Sequence, residues 1–183
     1  AMIDISKTNF KEVGGKIPVS KTHTQMLDLG GSHGLYSIEL CKRFPQLKAC
    51  IVDLPPVKKY AEECITQKNA SMNVSFLAAD FMKDEIPKKV DIILGFNIIH
   101  GLNPAENQAL AKKAYNSLNE GGMYVLLDQI KGIGGSSQLS KATTSYMALN
   151  LLHQAGGKTY SKQEIDTFTK HAGFKKTVLK KLN

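Results

Sequence analysis

No apolar run in this sequence reaches the ~18 residues that a membrane-spanning helix needs. The N-terminus carries no apolar signal-peptide core. Neither a span nor a secretory leader is expected. Cysteine is scarce: Cys41, Cys50 and Cys64 are an odd set with no Cys-x-x-Cys pair. That excludes a disulfide framework and a paired-cysteine zinc site. Reduced, mostly buried thiols in a cytoplasmic protein are expected instead. The five histidines show no ligand-like spacing, so no metal site is expected. Arginine is nearly missing, with Arg43 alone, although Lys+Arg total 24 against 16 Asp+Glu for a net charge of +8. The positive charge is lysine spread in small doublets, the pattern of a solvated surface rather than of a nucleic-acid patch. With 183 residues, 42% of them hydrophobic, the chain has the size of one globular domain with a proper core.

Two common nucleotide motifs are missing as well. Met26 to Gly34 reads Met-Leu-Asp-Leu-Gly-Gly-Ser-His-Gly, a short apolar strand running into a glycine turn. The dinucleotide fingerprint Gly-x-Gly-x-x-Gly fails from Gly30, which meets Ser32 and Leu35, and from Gly31, which meets His33 and Tyr36. No Gly-Lys-Ser/Thr follows, so this is not a P-loop. What stands is Asp28-x-Gly30-x-x-x-Gly34 ahead of a helical pattern that begins near Ser32. Glycines at 30, 31 and 34 let backbone come close to a ligand, and the helix start behind them offers free N–H groups. The turn therefore reads as a cofactor cradle. The same residues also fit Gly-x-Ser-x-Gly, a hydrolase nucleophile elbow, with a nameable triad of Ser32, Asp128 and His153. Against the elbow, too little chain precedes Ser32 and no His-Gly-Gly-Gly stretch lies upstream.

Further along, the patterns alternate. A helix is expected from Tyr36 to Phe44, with Leu35, Ile38 and Cys41 on its buried face. A strand over Ala49 to Val52 ends in Asp53, 23 residues past Gly30, about where nucleotide folds place the acid that takes ribose hydroxyls. Val57, Tyr60, Ala61, Cys64 and Ile65 mark an amphipathic helix started by Pro55-Pro56. Strands follow over Val74 to Ala78, Val90 to Leu94 and Met123 to Leu127. Between the last two, a helix opens at Asn103-Pro104-Ala105-Glu106, buries Leu110, Ala114 and Leu118, and ends at Gly121-Gly122. Lys131 to Ser137 reads as a loop. A helix including Tyr146, Met147, Leu149, Leu151 and Leu152 comes next. Ser161 and Glu164 form a capping box for a helix that buries Ile165, Phe168 and Ala172 and stops at Gly173. Thr177 to Leu179 can be a last strand.

Strands alternating with helices predict an α/β fold with a mostly parallel central sheet and helices on both faces. Ligands of such sheets bind at the carboxyl ends of the strands. Gly30, Asp53, Asp80, His100 and Asp128 each fall at or just past such an end.

Five stretches together resemble the catalytic domain of the plant-type and hydroxyindole-type O-methyltransferases, which have the Rossmann-like class I S-adenosylmethionine (AdoMet) fold. They are Leu27 to Gly34, Val52-Asp53-Leu54-Pro55, Ala79-Asp80-Phe81, Ile98-Ile99-His100 and Gly156-Gly157-Lys158. The resemblance implies AdoMet as cofactor, S-adenosylhomocysteine as product and a small hydroxylated, phenol-like acceptor. It implies cofactor contacts from Asp28, Gly30, Gly31, Ser32, Gly34, Asp53, Leu54, Asp80, Phe81 and Asn97. It implies His100 as the base and Asp128 as its partner, with Met147, Asn150, Leu151 and Gln154 near the acceptor. Several positions depart from the family pattern: Gly101 stands for an Asp, Phe96 for a basic residue and Thr159 for an acid.

The resemblance divides the chain into an entry segment, 1–25, and a catalytic domain, 26–183. The family carries a helical dimerisation domain ahead of the catalytic one, and residues 1–25 are too few to form it. Ala1 before Met2 reads as a cloning remnant. A homodimer of the full-length protein through that domain is expected, with no membrane or nucleic-acid partner. Other readings stay open: a methyltransferase of the same fold with a nucleic-acid or other acceptor, the Ser32 hydrolase, and an AdoMet-binding remnant without activity.

Overall fold

A computed structural model describes residues 12–132 and 158–182. It divides into two units: Ala1–Phe96 with Asn116–Val125 and Lys180–Asn183, and Asn97–Tyr115 with Leu126–Leu179.

The first unit holds a helical turn at 12–16 and a five-stranded sheet. Its strands are β1 (Gln25–Leu29), β2 (Lys48–Asp53), β3 (Val74–Ala78), β4 (Val90–Phe96) and β5 (Leu118–Leu127), in the order β3-β2-β1-β4-β5. β1 pairs in parallel with β2 and β4, and β2 with β3. The chain steps outward from β1 to β3 and then returns to β4, so the topological switch lies between β1 and β4. Met26, Leu27, Leu29, Ile51, Val52, Ile92, Ile93 and Leu94 are fully buried. Side chains on both faces of these strands are covered, which explains their continuous apolar runs. Helix α1 (Leu35–Arg43) buries Leu35, Ile38 and Cys41, as their spacing predicts. Pro55–Val57 form a 3₁₀ turn leading into α2 (Lys58–Gln67).

The second unit contains a 3₁₀ turn, Ile99–Gly101, and most of α3 (Pro104–Ser117). It also contains β6 (Ile130–Lys131) paired in parallel with β7 (Tyr160–Ser161), and α4 (Lys162–Ala172). Both helices start as their caps predict. At α3, Asn103 Oδ1 accepts from Glu106 N at 3.0 Å, and Glu106 Oε2 accepts from Asn103 N at 2.7 Å. At α4, Ser161 and Glu164 make the same reciprocal box, and Gly173 ends the helix with φ 116°.

Several sequence expectations fail on non-local grounds. β5 begins at Leu118, so Gly121-Gly122 lies inside a strand and Leu118 leaves the helix stripe. Asp91 explains this: Oδ1 accepts from Asn119 Nδ2 at 2.7 Å, while Oδ2 accepts from the N–H groups of Thr24 at 2.7 Å and Gln25 at 3.0 Å. One carboxylate thus anchors the starts of β5 and β1. Tyr60 is 68% exposed, because α2 lies over edge strand β3 and buries only Ala61 and Ile65, one turn apart. Thr177 to Leu179 form no strand and Val178 is exposed; three isolated residues with two apolar side chains have no ladder to join. The expected loop at Lys131 begins instead with a strand residue, and Ser137 lies outside the described residues. The expected helix with Tyr146 to Leu152, and with it Met147, Asn150, Leu151 and Gln154, also lies outside them.

All three cysteines are free, Cys41 buried and the others half-buried. Burial pushes the Cys41 thiol up to about 11. Among the described residues, no helix is long and apolar enough to cross a membrane. No group of three His, Cys, Asp or Glu side chains there could hold a metal ion.

Candidate active site

The glycine turn of the first unit is shaped from below and from the side. Beneath it, the Asp28 carboxylate is buried and accepts a 2.7 Å bond from Ser37 Oγ of α1. A Cβ on Gly31 would stand 2.5 Å from Asp28 Cγ, so only glycine lets the turn lie on that carboxylate. Gly34 caps α1 at φ 70°, where a Cβ would also meet Ile51 Cδ1 at 2.2 Å. Ser32 is left-handed too, with φ 50°, a conformation that costs a non-glycine residue about 1–2 kcal/mol. Its backbone N–H points to Asp53 Oδ2 at 2.9 Å, and Asp53 Oδ1 accepts from Leu54 N at 2.8 Å. Asp53 therefore braces the turn instead of capping the next helix. A carboxylate has about four lone-pair positions, so Asp53 keeps room for further donors.

Asp80 follows β3 and folds its own loop. Oδ1 accepts from Met82 N at 3.0 Å, Oδ2 lies 3.0 Å from Lys83 Nζ, and Asp80 N donates to Asp84 Oδ2 at 2.8 Å. The Lys83 bond, helped by the Met82 N–H, lowers its pKa. Phe81 beside it is half-buried and Leu54 is exposed. Phe96, where the family carries a basic residue, is buried edge-on to Tyr36 with centroids 4.9 Å apart.

In the second unit, Asn97 is exposed at φ 55° and its N–H donates to Leu127 O at 2.7 Å. His100 sits in the 3₁₀ turn that follows. Its Nδ1 lies 2.8 Å from Asp128 Oδ1 and 3.1 Å from Oδ2, and its backbone N–H also donates to Oδ2 at 3.3 Å. Asp128 is 1% exposed, whereas the His100 ring is 24% exposed. The buried carboxylate accepts a hydrogen bond from Nδ1–H, so neutral His100 carries its lone pair on Nε2. The Asp128 hydrogen bond raises the pKa of His100, and partial burial opposes it. The shorter Asp128 thus reaches the histidine where the family usually has glutamate. Gly101 is exposed, and a Cβ there would meet nothing within 4 Å. Thr159 is buried beside Lys158, whose N–H donates to His100 O at 2.9 Å.

The hydrolase triad loses its acid, since Asp128 is committed to His100; His153 lies outside the described residues. His33 accepts from Leu35 N at 3.4 Å through Nδ1, and its Nε2 is buried with no partner among the described residues. Burial lowers its pKa, so it stands neutral in the turn. Ser37 went unread in the sequence. Its signal was a polar residue beside the α1 stripe, two places after Leu35.

A mostly parallel sheet in this order, with a glycine turn after β1 and an acid at the end of β2, is the arrangement of the Rossmann-like class I methyltransferase fold. The profile of the O-methyltransferase domain matches residues 5–175, and the chain belongs to that family. An L-tyrosine C(3)-methyltransferase of Streptomyces lavendulae is 30% identical over 152 residues, 82% of this chain and 41% of that one. An acetylserotonin O-methyltransferase of Gallus gallus is 27% identical over 158 residues, 86% of this chain and 44% of that one. The human N-acetylserotonin methyltransferase, solved in complex with SAM, superposes with a TM-score of 0.85 at 22% identity, covering 99% of this chain and 50% of that one. The chain spans less than half the length of the two curated relatives named.

Proposed function

We propose that this chain is the AdoMet-binding catalytic domain of a methyltransferase acting on a small hydroxylated, phenol-like acceptor, with S-adenosylhomocysteine as the second product. One observation carries the reading: a partly exposed histidine held through Nδ1 by a buried carboxylate, in a chain of this family. A phenol has pKa ~10 and is a weak nucleophile while protonated. His100 Nε2 takes that proton, and Asp128 stabilises the imidazolium that results. When bound, AdoMet supplies an electrophilic methyl group on a sulfonium. The residues present fit it at Asp53, which braces the glycine turn and keeps spare acceptor positions for ribose hydroxyls. Asp80 and Phe81 serve the adenosine end in this reading, and Asp28, Leu54 and Asn97 complete the cofactor residues. The family resemblance assigns Met147, Asn150, Leu151 and Gln154 to the acceptor.

A deprotonated phenol is nucleophilic at oxygen and at the neighbouring ring carbons, so the same base serves transfer to either atom. Transfer to oxygen is the reading adopted. We also read the protein as cytoplasmic, consistent with three free thiols, and as a homodimer at full length, which the family resemblance supports.

Calorimetry tests the cofactor half directly. One AdoMet is expected per chain, and Asp53→Ala is expected to weaken binding by about 1.5–3 kcal/mol, the worth of hydrogen bonds to a charged group. NAD binding without AdoMet binding would overturn the reading at its root. Turnover against a panel of phenols, with product mass and position determined, tests the acceptor half. Covalent labelling of Ser32 by a serine-directed fluorophosphonate would favour the hydrolase.

A further inference from the structure

A single 3₁₀ turn does not hold its own shape, because its end carbonyls have no partners within it. Ile99–Gly101 is such a turn, and it carries His100. Just past the turn Leu102 N donates to Ile99 O at 3.2 Å, and one residue of α3 adds a donor on each side of the histidine. Asn107 is 1% exposed, and its Nδ2 donates to Ile99 O at 3.0 Å and to Leu102 O at 3.2 Å. Those two carbonyls flank the histidine on either side. Both protons of the carboxamide are spent on them. Exchanging the amide oxygen and nitrogen would set Oδ1 against two carbonyl oxygens, so the acceptors themselves fix the orientation.

Packing alone does not account for an asparagine here. Position 107 lies on the same helix stripe as Leu110, Ala111 and Ala114, all fully buried. Its Oδ1 is buried and meets no donor among the described residues, which carries a desolvation cost. An apolar side chain would avoid that cost but would take one donor from each of two carbonyls beside His100, leaving Ile99 O with Leu102 N alone at 3.2 Å. Two further bonds hold the far side of the turn: Tyr160 Oη donates to Leu102 O, and Lys158 N donates to His100 O. We propose that Asn107 is a positioning residue for His100: its buried carboxamide clamps the carbonyls on both sides of the histidine and so sets the imidazole on Asp128.

The consequence for turnover rests on His100 being the base; the clamp itself does not. NMR titration of His100 in wild type and Asn107→Leu separates the two. With the clamp gone, the Nδ1–Asp128 bond lengthens, and the His100 midpoint should fall measurably toward its ordinary value. In an Asp128→Asn background the same substitution should shift nothing, because no pairing is left to lose. Methyl transfer should fall by about 10–100-fold, the scale of a catalytic group displaced by up to an ångström, with AdoMet affinity unchanged. Asn107→Ser, smaller and still polar, is the second variant if the leucine protein does not fold. A His100 midpoint identical to wild type in a folded variant would overturn the clamp. A midpoint that shifts while His100→Gln retains full turnover would uphold the clamp and remove the base.

Discussion

Replacing His100 with glutamine is expected to lower methyl transfer by about 10²–10⁴-fold while leaving AdoMet affinity within about twofold. Glutamine keeps a side chain that can bond Asp128 but has no basic nitrogen to take a proton. The effect should therefore fall on the chemical step, in kcat and kcat/KM together. The pH profile gives a second reading of the same residue. His100 works as a base only when neutral, and Asp128 raises its pKa. Activity should therefore climb with pH through a midpoint above the ordinary histidine value of ~6.5. Asp128→Asn removes the charge that raises that pKa, so its midpoint should move down. Its plateau should fall as well, because an amide facing Nδ1 no longer selects the tautomer with a free Nε2. Turnover by His100→Gln equal to wild type, with the same pH profile, would remove the histidine and leave positioning of the reactants as the whole mechanism.

What the sequence made legible was local. The caps at Asn103, Ser161 and Gly173 depend on residues three or four places apart, and all three form as their spacing predicts. The glycine turn was legible because Gly31 and Gly34 stand where any Cβ would collide. His100 and Asp128 could be named as partners from the family resemblance, but not from any local pattern, since their 2.8 Å contact joins residues 28 positions apart. The misreadings share one cause. Asp91 decides where β5 begins by bonding residues 67 positions before it and 28 after it, and no local pattern reports that. Ser37 and Asn107 escaped notice because each is a polar residue on or beside a buried stripe. In sequence they read as interruptions of the stripe, and only their partners, Asp28 and the carbonyls beside His100, give them a purpose.

Asp28→Asn is expected to stabilise the fold at neutral pH and to leave it unchanged in acid. Asp28 is fully covered, and burial pushes its carboxyl up to about 6; the Ser37 bond lowers it somewhat and the nearby Asp53 charge raises it. In the unfolded chain the same group titrates near ~3.9. Below about pH 4 the group is protonated in both states and costs nothing. Between about 4 and 6 the unfolded chain releases the proton while the folded chain keeps it, so stability falls as pH rises. Above about pH 6 both states are ionised, and the folded state bears a constant penalty of about 3 kcal/mol, two pH units at ~1.4 kcal/mol each. Asparagine carries no charge, and its Oδ1 can still accept from Ser37 Oγ, so the buried hydroxyl keeps its partner. The stability difference between the two proteins should therefore open from zero near pH 4 and level off near pH 7. Urea unfolding at four or five pH values measures it. A difference that stays flat across that range would show that Asp28 titrates alike in the folded and unfolded chains. The carboxylate under the glycine turn would then cost the fold nothing.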